Sequence, residues 1–250
     1  MRIVRFVEGG EAQYGMVEGA DVYAVVGEVF DAFERGKRAG GLSQLRLLAP
    51  CQPTKVVAVG LNYAAHAAEA QKEVPAEPIL FLKPPSAVIG PGENIVYPAI
   101  SQWVDHEAEL AAVVGRRARN VAAEEALDCL LGYTCGNDVS ARDLQRRDGQ
   151  WTRGKGFDTF CPLGPWIVTD LEPGDLAIAC RVNGQVRQGS RTSYMVFSVA
   201  ELVAHVTQVM TLEPGDVILT GTPAGIGPLQ RGDRVEVEIE GVGVLENGVV

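Results

Sequence analysis

Alternating apolar and polar residues open the chain and predict a β-rich N-terminal region. Three alternating runs occur between turns that contain glycine, at residues 3–7, 13–17 and 22–26. A short helix is expected over residues 29–37, ended by Gly40 and Gly41. The proline-containing turn at residues 50–53 then leads into a new apolar strand at residues 56–59. We therefore predict a small N-terminal domain over residues 1–50 and a larger domain over residues 51–250.

Helical and strand-like periods alternate through the rest of the chain. An alanine-rich helix is expected over residues 61–70, and the polar, proline-broken residues 71–78 that follow it have the character of a mobile lid. Further helices are expected over residues 122–131 and 199–210, the second with an apolar stripe. Hairpins are predicted at residues 177–188, around Asn183 and Gly184, and at residues 234–250. Together these elements predict an α+β protein.

One apolar run, residues 103–114, has acidic side chains set into it. In a strand, Glu107 and Glu109 share one face, whereas His106 takes the other face and is expected to pack in or behind the core. Carboxylates two residues apart can converge on one cation, and two buried like charges need a counter-cation to stay ionised. The run therefore predicts either a metal platform or an edge strand with a solvated acidic face.

A third acidic residue, Asp138, lies where a strand is expected to give way to a helix. An aspartate in that position commonly caps the helix. With Glu107 and Glu109, however, Asp138 completes a set of three carboxylates, which water and a chelating substrate would extend to an octahedral oxygen site. Such a site suits Mg²⁺ or Mn²⁺, and Ca²⁺ would also fit, whereas the lack of a Cys or His cluster argues against zinc.

Other groups suited to chemistry precede and follow these acids. His66 and Glu69 are three residues apart on the alanine-rich helix, so they can hydrogen-bond, either as an acid/base pair or as an ordinary surface ion pair. The segment 142–155 is dense in basic residues, including Arg146, Arg147 and Arg153. Acidic residues interleaved among them allow plain salt bridges, so we expect only some of these arginines to reach a site.

Composition and net charge argue against some classes of binding partner. The 250 residues carry a formal net charge of −10 and a pI near 4.9, which argues against nucleic acids and anionic membrane surfaces. Five scattered cysteines without a C-x-x-C pair indicate reduced thiols. The N-terminus shows no signal-peptide pattern and no run is long enough to span a bilayer, so a cytoplasmic protein is expected.

The chain resembles the fumarylacetoacetate hydrolase family in its short form with a single catalytic domain. Five motifs carry the resemblance, in the order of the family: residues 60–69 (GLNYAAHAAE), 105–110 (DHEAEL), 132–145 (GYTCGNDVSARDLQ), 154–165 (GKGFDTFCPLGP) and 212–227. The family fold is a mixed β-sheet rolled on itself, here with a small β-rich N-terminal appendage, and residues 51–250 would be the catalytic domain. Family members are commonly homodimers.

The resemblance also implies a role for each matching residue. It implies that Mg²⁺ or Mn²⁺ is bound, that a lid carries an acid/base pair, and that a small anionic 2-oxo or 2-hydroxy acid is the substrate. The metal ligands would be Glu107, Glu109 and Asp138; the catalytic residues His66, Glu69 and Lys155; and the substrate-binding residues Arg142, Gln145 and Thr222.

The chemistry of such a site is consistent with these roles. The carboxylate and keto oxygens of a 2-oxo acid can chelate a metal, which stabilises the enolate formed when a bond at C3 breaks. The expected reaction is hydrolysis or isomerisation of 2,4-dioxo acids or 2-hydroxy-2,4-dienedioates, as in acylpyruvate hydrolases and 2-hydroxyhepta-2,4-diene-1,7-dioate isomerases of aromatic catabolism. Decarboxylation or tautomerisation of oxaloacetate is the nearest alternative, and a non-catalytic metal-stabilised binding protein is an alternative of another class.

Overall fold

A mixed sheet of twelve strands is the largest unit of the computed structural model, which describes all 250 residues. Its strands, numbered along the chain, are β1 (Arg2–Glu8), β2 (Glu11–Glu18), β3 (Asp21–Gly27), β4 (Phe33–Gly41), β5 (Leu47–Leu48), β6 (Val56–Gly60), β7 (Ile79–Lys83), β8 (Val88–Ile89), β10 (Ala108–Val114), β11 (Leu130–Asn137), β13 (Cys161–Val168) and β16 (Val217–Leu219). Ten of them follow the order β4-β3-β2-β1-β13-β11-β10-β16-β6-β7, while β5 pairs with β1 and β8 with β13. The pairs β6–β16 and β8–β13 are parallel.

Two smaller sheets and four helices complete the fold. The strands of the smaller sheets are β9 (Val104–His106), β12 (Ser140–Ala141), β14 (Ala177–Val182), β15 (Gln185–Arg191), β17 (Gly227–Pro228), β18 (Arg234–Ile239) and β19 (Gly243–Gly248). The three-stranded sheet has the order β12-β9-β17 and the four-stranded sheet the order β15-β14-β18-β19. The helices are α1 (Ala64–Glu69), α2 (Arg142–Asp148), α3 (Thr152–Lys155) and α4 (Val199–Val209). None of the helices is both long and apolar enough to cross a membrane.

The main core lies between the large sheet and the four-stranded sheet. Leu110 and Ala112 of β10 belong to this cluster of 35 buried residues, together with residues of β14, β18 and α4. Ala111 and Val113 face the opposite side, in a second cluster of 13 buried residues. Strand β10 is therefore buried on both faces, which explains its apolar run over residues 110–114, and Glu109 is the one charged residue within the strand. The α+β class with a mixed, strand-dominated sheet is confirmed.

The prediction of a helix over residues 29–37 is wrong. The chain turns at residues 28–32 and then forms β4, which pairs with β3 in the register Val25↔Arg35. The residues of β4 have no strong strand pattern of their own, since four of the nine are charged and three are glycines. Their conformation is determined by pairing with β3, which short-range sequence does not reveal.

The prediction of a helix over residues 122–131 is also wrong. Two short 3₁₀ turns occupy Ala123–Glu125 and Leu127–Cys129, and strand β11 already begins at Leu130. The sequence contains good helix formers, but β11 is held between β10 and β13, so its pairing overrides the local preference.

Two predictions that rest on local chemistry are confirmed. Helix α4 begins at a capping box, in which the Ser198 hydroxyl accepts the Glu201 N–H and the Glu201 carboxylate accepts the Ser198 N–H. Leu202, Val203 and Val206 form its buried stripe. The hairpin of β14 and β15 turns at Asn183, which has a φ of 52° and is followed by a glycine also at positive φ.

The acidic run 103–114 forms two strands and not one. Strand β9 ends at His106, β10 begins at Ala108, and Glu107 lies in the break between them. The Glu107 N–H donates to Asn137 Oδ1 at 2.9 Å, and the Glu107 carbonyl accepts the Asp138 N–H at 2.9 Å. This break brings the start of β10 against the end of β11.

Candidate active site

A cavity of about 540 Å³ opens where β6, β11 and β16 end and β10 begins. These ends coincide because β10 runs antiparallel to both of its neighbours. All nine residues predicted as site residues line the cavity: His66, Glu69, Glu107, Glu109, Asp138, Arg142, Gln145, Lys155 and Thr222. The structure therefore brings together groups that are up to 156 positions apart in the sequence.

Three carboxylates converge in the cavity. Each of Glu107, Glu109 and Asp138 offers an oxygen, and these oxygens lie within 4.8 Å of one another. All three side chains are almost fully buried, with exposed fractions of 1–3%. The interpretation of this stretch as a solvated edge strand is therefore wrong. Asp138 is also not a helix cap, because the residue before α2 is Ala141 and the first turn receives no side-chain hydrogen bond.

Buried cations lie among these carboxylates. Lys155 Nζ donates to Glu107 Oε2 at 2.7 Å and to Asp138 Oδ2 at 2.6 Å. Lys83 Nζ donates to the other oxygen of Asp138, Oδ1, at 2.5 Å. Arg142 Nη2 pairs with Glu107 Oε1. Both oxygens of Glu107 and of Asp138 thus face a cation, which offsets the cost of burying these two charges.

Glu109 has no such partner. Its Oε2 accepts the N–H of Gly221 at 2.7 Å, and no lysine or arginine lies within salt-bridge distance. Positive φ at Gly221, 98°, together with a Cβ position only 2.6 Å from the side chain of Asn62, makes this backbone donor available at a residue that must be glycine. Glu109 is therefore the least compensated charge of the site.

The charges of the site do not balance. Burial raises the pKa of Glu109 well above its usual value, and the neighbouring Asp138 and Glu107 raise it further. Burial also acts on Glu107, but Lys155 and Arg142 outweigh it and hold the pKa of Glu107 well below its usual value. Four buried carboxylates face three buried cations, the carboxylates being Asp105, Glu107, Glu109 and Asp138 and the cations Lys83, Arg142 and Lys155.

A divalent cation fits this donor set. The converging atoms are all carboxylate oxygens, which are the ligands that Mg²⁺, Mn²⁺ and Ca²⁺ prefer. The uncompensated carboxylate of Glu109 supplies the electrostatic reason for a cation at this point. No cysteine or second histidine lies in the cavity lining, so the site lacks the ligands typical of zinc.

His66 and Glu69 lie on α1 at the side of the cavity. His66 Nδ1 is 3.2 Å from Glu69 Oε2, and the Glu69 carboxylate in turn accepts the N–H of Gly225 at 3.1 and 3.2 Å. His66 is only 7% exposed, whereas Glu69 is exposed, so the pair differs from an ordinary surface ion pair in that its imidazole is buried. A proton on Nδ1 satisfies the carboxylate and leaves Nε2 as the basic nitrogen.

Arg142 and Gln145 act together on one face of α2. Arg142 donates through Nε to Asp105 Oδ2 at 2.9 Å and through Nη1 to Gln145 Oε1 at 2.6 Å, in addition to its pair with Glu107. Three of the five N–H donors of Arg142 are therefore occupied by protein groups. Because its oxygen is held, Gln145 presents its Nε2 amide donors as the free group of this pair.

The hydroxyl of Thr222 is already occupied. It donates to the carbonyl of Ala108 at 2.9 Å and accepts Gln188 Nε2 at 2.8 Å. Gln188 is fully buried, and its Oε1 accepts the Ala108 N–H at 3.0 Å and faces His106 Nδ1 at 3.1 Å. His106 therefore lies behind the site and not in it, as the strand pattern predicts, and burial lowers its pKa, which favours the neutral ring.

Several residues of the site were missed by the sequence reasoning. Lys83 and Gln188 are buried polar residues within strands, and this placement is the one signal that could have singled them out. Asp105 belongs to the acidic motif but was not assigned a role. The side-chain amide of Asn62 accepts the N–H of Phe197 and donates to the carbonyls of Phe197 and Thr220. These bonds fix the loop in front of α1.

Comparisons with known proteins agree with this architecture. The family described as fumarylacetoacetate (FAA) hydrolase C-terminal matches residues 55–250, and the family described as Rv2993c-like, N-terminal matches residues 1–50. The solved structure of a 2-hydroxyhepta-2,4-diene-1,7-dioate isomerase from Mycobacterium marinum has a TM-score of 0.93 and 47% sequence identity, covering 100% of this chain and 98% of that one.

Two further relatives have other activities in their names. Maleylpyruvate hydrolase from Sphingobium sp. SYK-6, solved in complex with manganese(II) and pyruvate, has a TM-score of 0.83 and 33% identity, with 100% of this chain and 99% of that one covered. Oxaloacetate tautomerase FAHD2A, mitochondrial, from Bos taurus is 46% identical over 261 residues, 99% of this chain and 79% of that protein. The relatives named here thus include an isomerase, a hydrolase and a tautomerase.

Proposed function

The chain belongs to the fumarylacetoacetate hydrolase family, and from this premise we propose that it is a Mg²⁺- or Mn²⁺-dependent hydrolase or isomerase. Its substrates would be 2,4-dioxo acids or 2-hydroxy-2,4-dienedioates. One observation carries the proposal: three buried carboxylates, of which Glu109 has no cationic partner, lie in the same cavity as a buried histidine bonded to a glutamate. Cation binding and proton transfer can therefore act on one bound molecule.

Glu107, Glu109 and Asp138 would hold the metal. When bound, a divalent cation supplies a Lewis acid for the negative charge that develops on a 2-oxo acid as a bond at C3 breaks. The related maleylpyruvate hydrolase was solved with manganese(II) and pyruvate, which supports the choice of metal and of substrate class.

The chain's own donors would orient the substrate. Lys155 uses two of its three N–H groups on Glu107 and Asp138, so one is left for a substrate oxygen. The Nε2 amide of Gln145 is a second free donor, since its oxygen is held by Arg142. Because the hydroxyl of Thr222 is occupied, the Thr222 backbone N–H, which has no partner in the protein, is the better donor to a substrate carboxylate.

His66 and Glu69 would move the protons. With Nδ1 bonded to Glu69, the Nε2 atom of His66 takes a proton from water, and the resulting hydroxide attacks the acyl carbonyl of a 2,4-dioxo acid. The bond between C3 and the acyl carbon then breaks, and C3 receives a proton. If water is excluded, the same histidine can move a proton between two positions of the substrate, which is isomerisation.

Oxaloacetate is the nearest alternative substrate. Tautomerisation needs only proton transfer between C3 and the C2 oxygen, and decarboxylation forms the same kind of enolate. The 46% identity to a mitochondrial oxaloacetate tautomerase favours the tautomerase over the decarboxylase. A non-catalytic binding protein is the alternative of another class, but binding alone gives no reason for a buried histidine bonded to a glutamate beside the carboxylates.

A panel of three substrates separates these proposals. Purified protein is treated with a chelator, dialysed, and assayed with acetylpyruvate, a 2-hydroxy-2,4-dienedioate and the enol of oxaloacetate, each with and without Mg²⁺ or Mn²⁺. We expect turnover of at least one substrate, dependent on the metal. Turnover of none of them with either metal would support the binding protein, and metal-independent turnover would contradict the role given to the three carboxylates.

A homodimer is also proposed, on the family resemblance alone. Size-exclusion chromatography with light scattering measures the mass directly against the 26.7 kDa of one chain. A mass of twice this value is expected, and a single-chain mass over a range of concentrations would exclude the dimer.

A further inference from the structure

The outer part of the cavity contains two cations that the chemistry above does not use. Arg146 and Lys72 both line the cavity, and neither forms a salt bridge with any carboxylate of the chain. By contrast, the neighbouring Arg147 and Arg153 both contact Asp148. In a chain with a net charge of −10, unpaired cations at the opening of a cavity call for an explanation.

Arg146 lies over an aromatic ring that is itself hydrogen-bonded to a buried acid of the site. Its guanidinium carbon lies 4.5 Å from the ring centroid of Trp103, and the indole Nε1 of Trp103 donates to Asp105 Oδ1 at 2.6 Å. Asp105 is in turn held by Arg142. A chain of contacts therefore connects the outer arginine to the buried acids and keeps its aromatic support in one orientation.

The contact with Trp103 leaves the N–H donors of Arg146 free. A guanidinium that lies over an aromatic ring uses its face, whereas its N–H groups point outward in the plane and match the two oxygens of a carboxylate. None of these N–H groups forms a hydrogen bond or a salt bridge with another group of the protein, and the guanidinium lies over the Trp103 ring. A group prepared for bidentate binding thus has no partner within the chain.

Lys72 and Trp151 line the same cavity as Arg146 and Trp103. The Lys72 ammonium lies 5.8 Å from the ring centroid of Trp151, which packs edge-on against Phe81 at 5.1 Å. Gly60 allows this arrangement, because a Cβ there would lie 2.7 Å from the Trp151 ring. The opening therefore combines two cations with two aromatic rings, a surface suited to an anionic end group on a flat, unsaturated chain.

From these contacts we propose that Arg146 and Lys72 bind a second anionic group of the substrate, so that this enzyme acts preferentially on dicarboxylates. The inference rests on the proposed function, which places the 2-oxo acid end of the substrate at the three buried carboxylates. Arg146 would make the main contact with the distal carboxylate, and Lys72 would add a weaker, more solvent-screened attraction. Both residues also raise the local potential for an anion approaching an acidic protein.

Binding and turnover test the proposal together. Binding is measured by calorimetry on the Mn²⁺-loaded protein with saturated 2-oxo acids of five, six and seven carbons, each in a form with a terminal carboxylate and a form with a terminal methyl group. These acids lack the acyl group that hydrolysis removes. Turnover is measured with succinylpyruvate, which has a terminal carboxylate, and with acetylpyruvate, which does not.

We expect at least one dicarboxylate to bind about tenfold more tightly than its methyl-terminated counterpart. Arg146→Gln removes most of this preference, Lys72→Gln removes a smaller part, and both variants bind oxalate, which has no distal group, as the wild type does. Arg147→Gln, an exposed neighbour on the same helix, is the matched control and retains the preference. The ratio of kcat/KM for the two dioxo acids is expected to follow the same order.

The two failures are distinguishable. If Arg146→Gln weakens the paired ligands equally, or if the wild type shows no preference at any chain length, the distal carboxylate site is wrong whether or not turnover is intact. If no substrate is turned over while the binding preference is present and depends on Arg146, the proposed catalysis is wrong and the binding site is upheld.

Discussion

At the scale of single residues, the site is explained by which charges have partners. Glu107 and Asp138 are matched by lysines and an arginine, while Glu109 relies on one backbone N–H. The acids could be predicted because Glu107 and Glu109 are two residues apart in an apolar run, a spacing that would aim both the same way in a strand, although the strand itself breaks at Glu107. Lys83 could not, because its contact with Asp138 joins residues 55 positions apart and depends on the fold.

Glu109→Gln is expected to abolish Mn²⁺ binding and to stabilise the metal-free protein. The folded-state pKa of Glu109 is raised, so folding disfavours its ionised form, and this cost grows as the pH rises from about 4.3, the value in the unfolded chain, towards the folded value. Gln cannot ionise and can still accept the Gly221 N–H. Unfolding by urea should therefore show the variant more stable than wild type at pH 8, with the difference shrinking towards pH 4.

Urea unfolding in the presence of Mn²⁺ is the control for the Glu109→Gln variant. Saturating Mn²⁺ should stabilise the wild type and leave Glu109→Gln unchanged. A variant that is less stable than the metal-free wild type at pH 8, or one that retains Mn²⁺ affinity, would show that Glu109 is not the uncompensated ligand.

His66→Ala is expected to separate metal binding from catalysis. His66 hydrogen-bonds to Glu69 and to none of the metal ligands, so Mn²⁺ affinity should stay within about twofold, while hydrolysis falls by roughly 10²- to 10⁴-fold as expected for loss of a general base. Calorimetry and a spectrophotometric assay measure the two quantities. His205→Ala, on the outer helix α4, is the matched control. Full hydrolytic activity in His66→Ala would exclude the assigned role.

At the scale of elements, the site depends on strands and loops that are far apart in the sequence and meet only in the folded protein. Helix α4 was predictable because its cap and its apolar stripe are local features. Strand β4 was not, because only its pairing with β3 makes it a strand. Likewise the five sequence motifs indicate the family correctly, but the contribution of strand β15 to the site through Gln188 appears only when β14 and β15 pack against the start of β10.

Gln188→Met is expected to weaken substrate binding more than metal binding. The Gln188 side chain holds the loop after β16 by donating to Thr222 and to the carbonyl of Pro223, at 2.8 Å each. Its removal leaves buried polar groups without partners, at a cost of about 1–3 kcal/mol of unfolding free energy, and frees the loop that carries the Thr222 N–H. We expect KM to rise about tenfold at nearly constant Mn²⁺ affinity.

Gln185→Met, at the exposed end of the same strand, is the control for this variant. It should match the wild type in KM and in stability. A Gln188→Met enzyme with a lower kcat and an unchanged KM would instead place the residue's effect on the chemical step.

At the scale of the whole molecule, one sheet continues from the N-terminal strands to the site. Strand β1 pairs with β13, and Ile3 lies in the same buried cluster as Leu163 and Ile167. Division into residues 1–50 and 51–250 stays a prediction from sequence, because it concerns independent folding and not contact. The sequence could indicate an N-terminal β-rich unit, but its continuity with the large sheet depends on a pairing between residues more than 160 positions apart.

Metal binding is expected to stabilise the whole fold, because the ion binds only when strands from distant parts of the chain bring the three carboxylates together. At a free Mn²⁺ concentration of 100 times Kd, linkage adds about 2.7 kcal/mol to the unfolding free energy. Thermal denaturation at several Mn²⁺ concentrations measures this gain. An unchanged Tm over a range that saturates binding would mean that the ion binds equally well to the unfolded chain.

The central claim is that the three carboxylates hold a divalent ion which a 2-oxo acid then chelates, and oxalate binding tests it most directly. Oxalate presents two adjacent oxygens in a plane, as a pyruvate enolate does. Titrated by calorimetry into chelator-treated protein, it should bind only when Mn²⁺ is present, and Glu109→Gln should abolish binding. Equal oxalate affinity with and without Mn²⁺, or no binding under either condition, would contradict the claim.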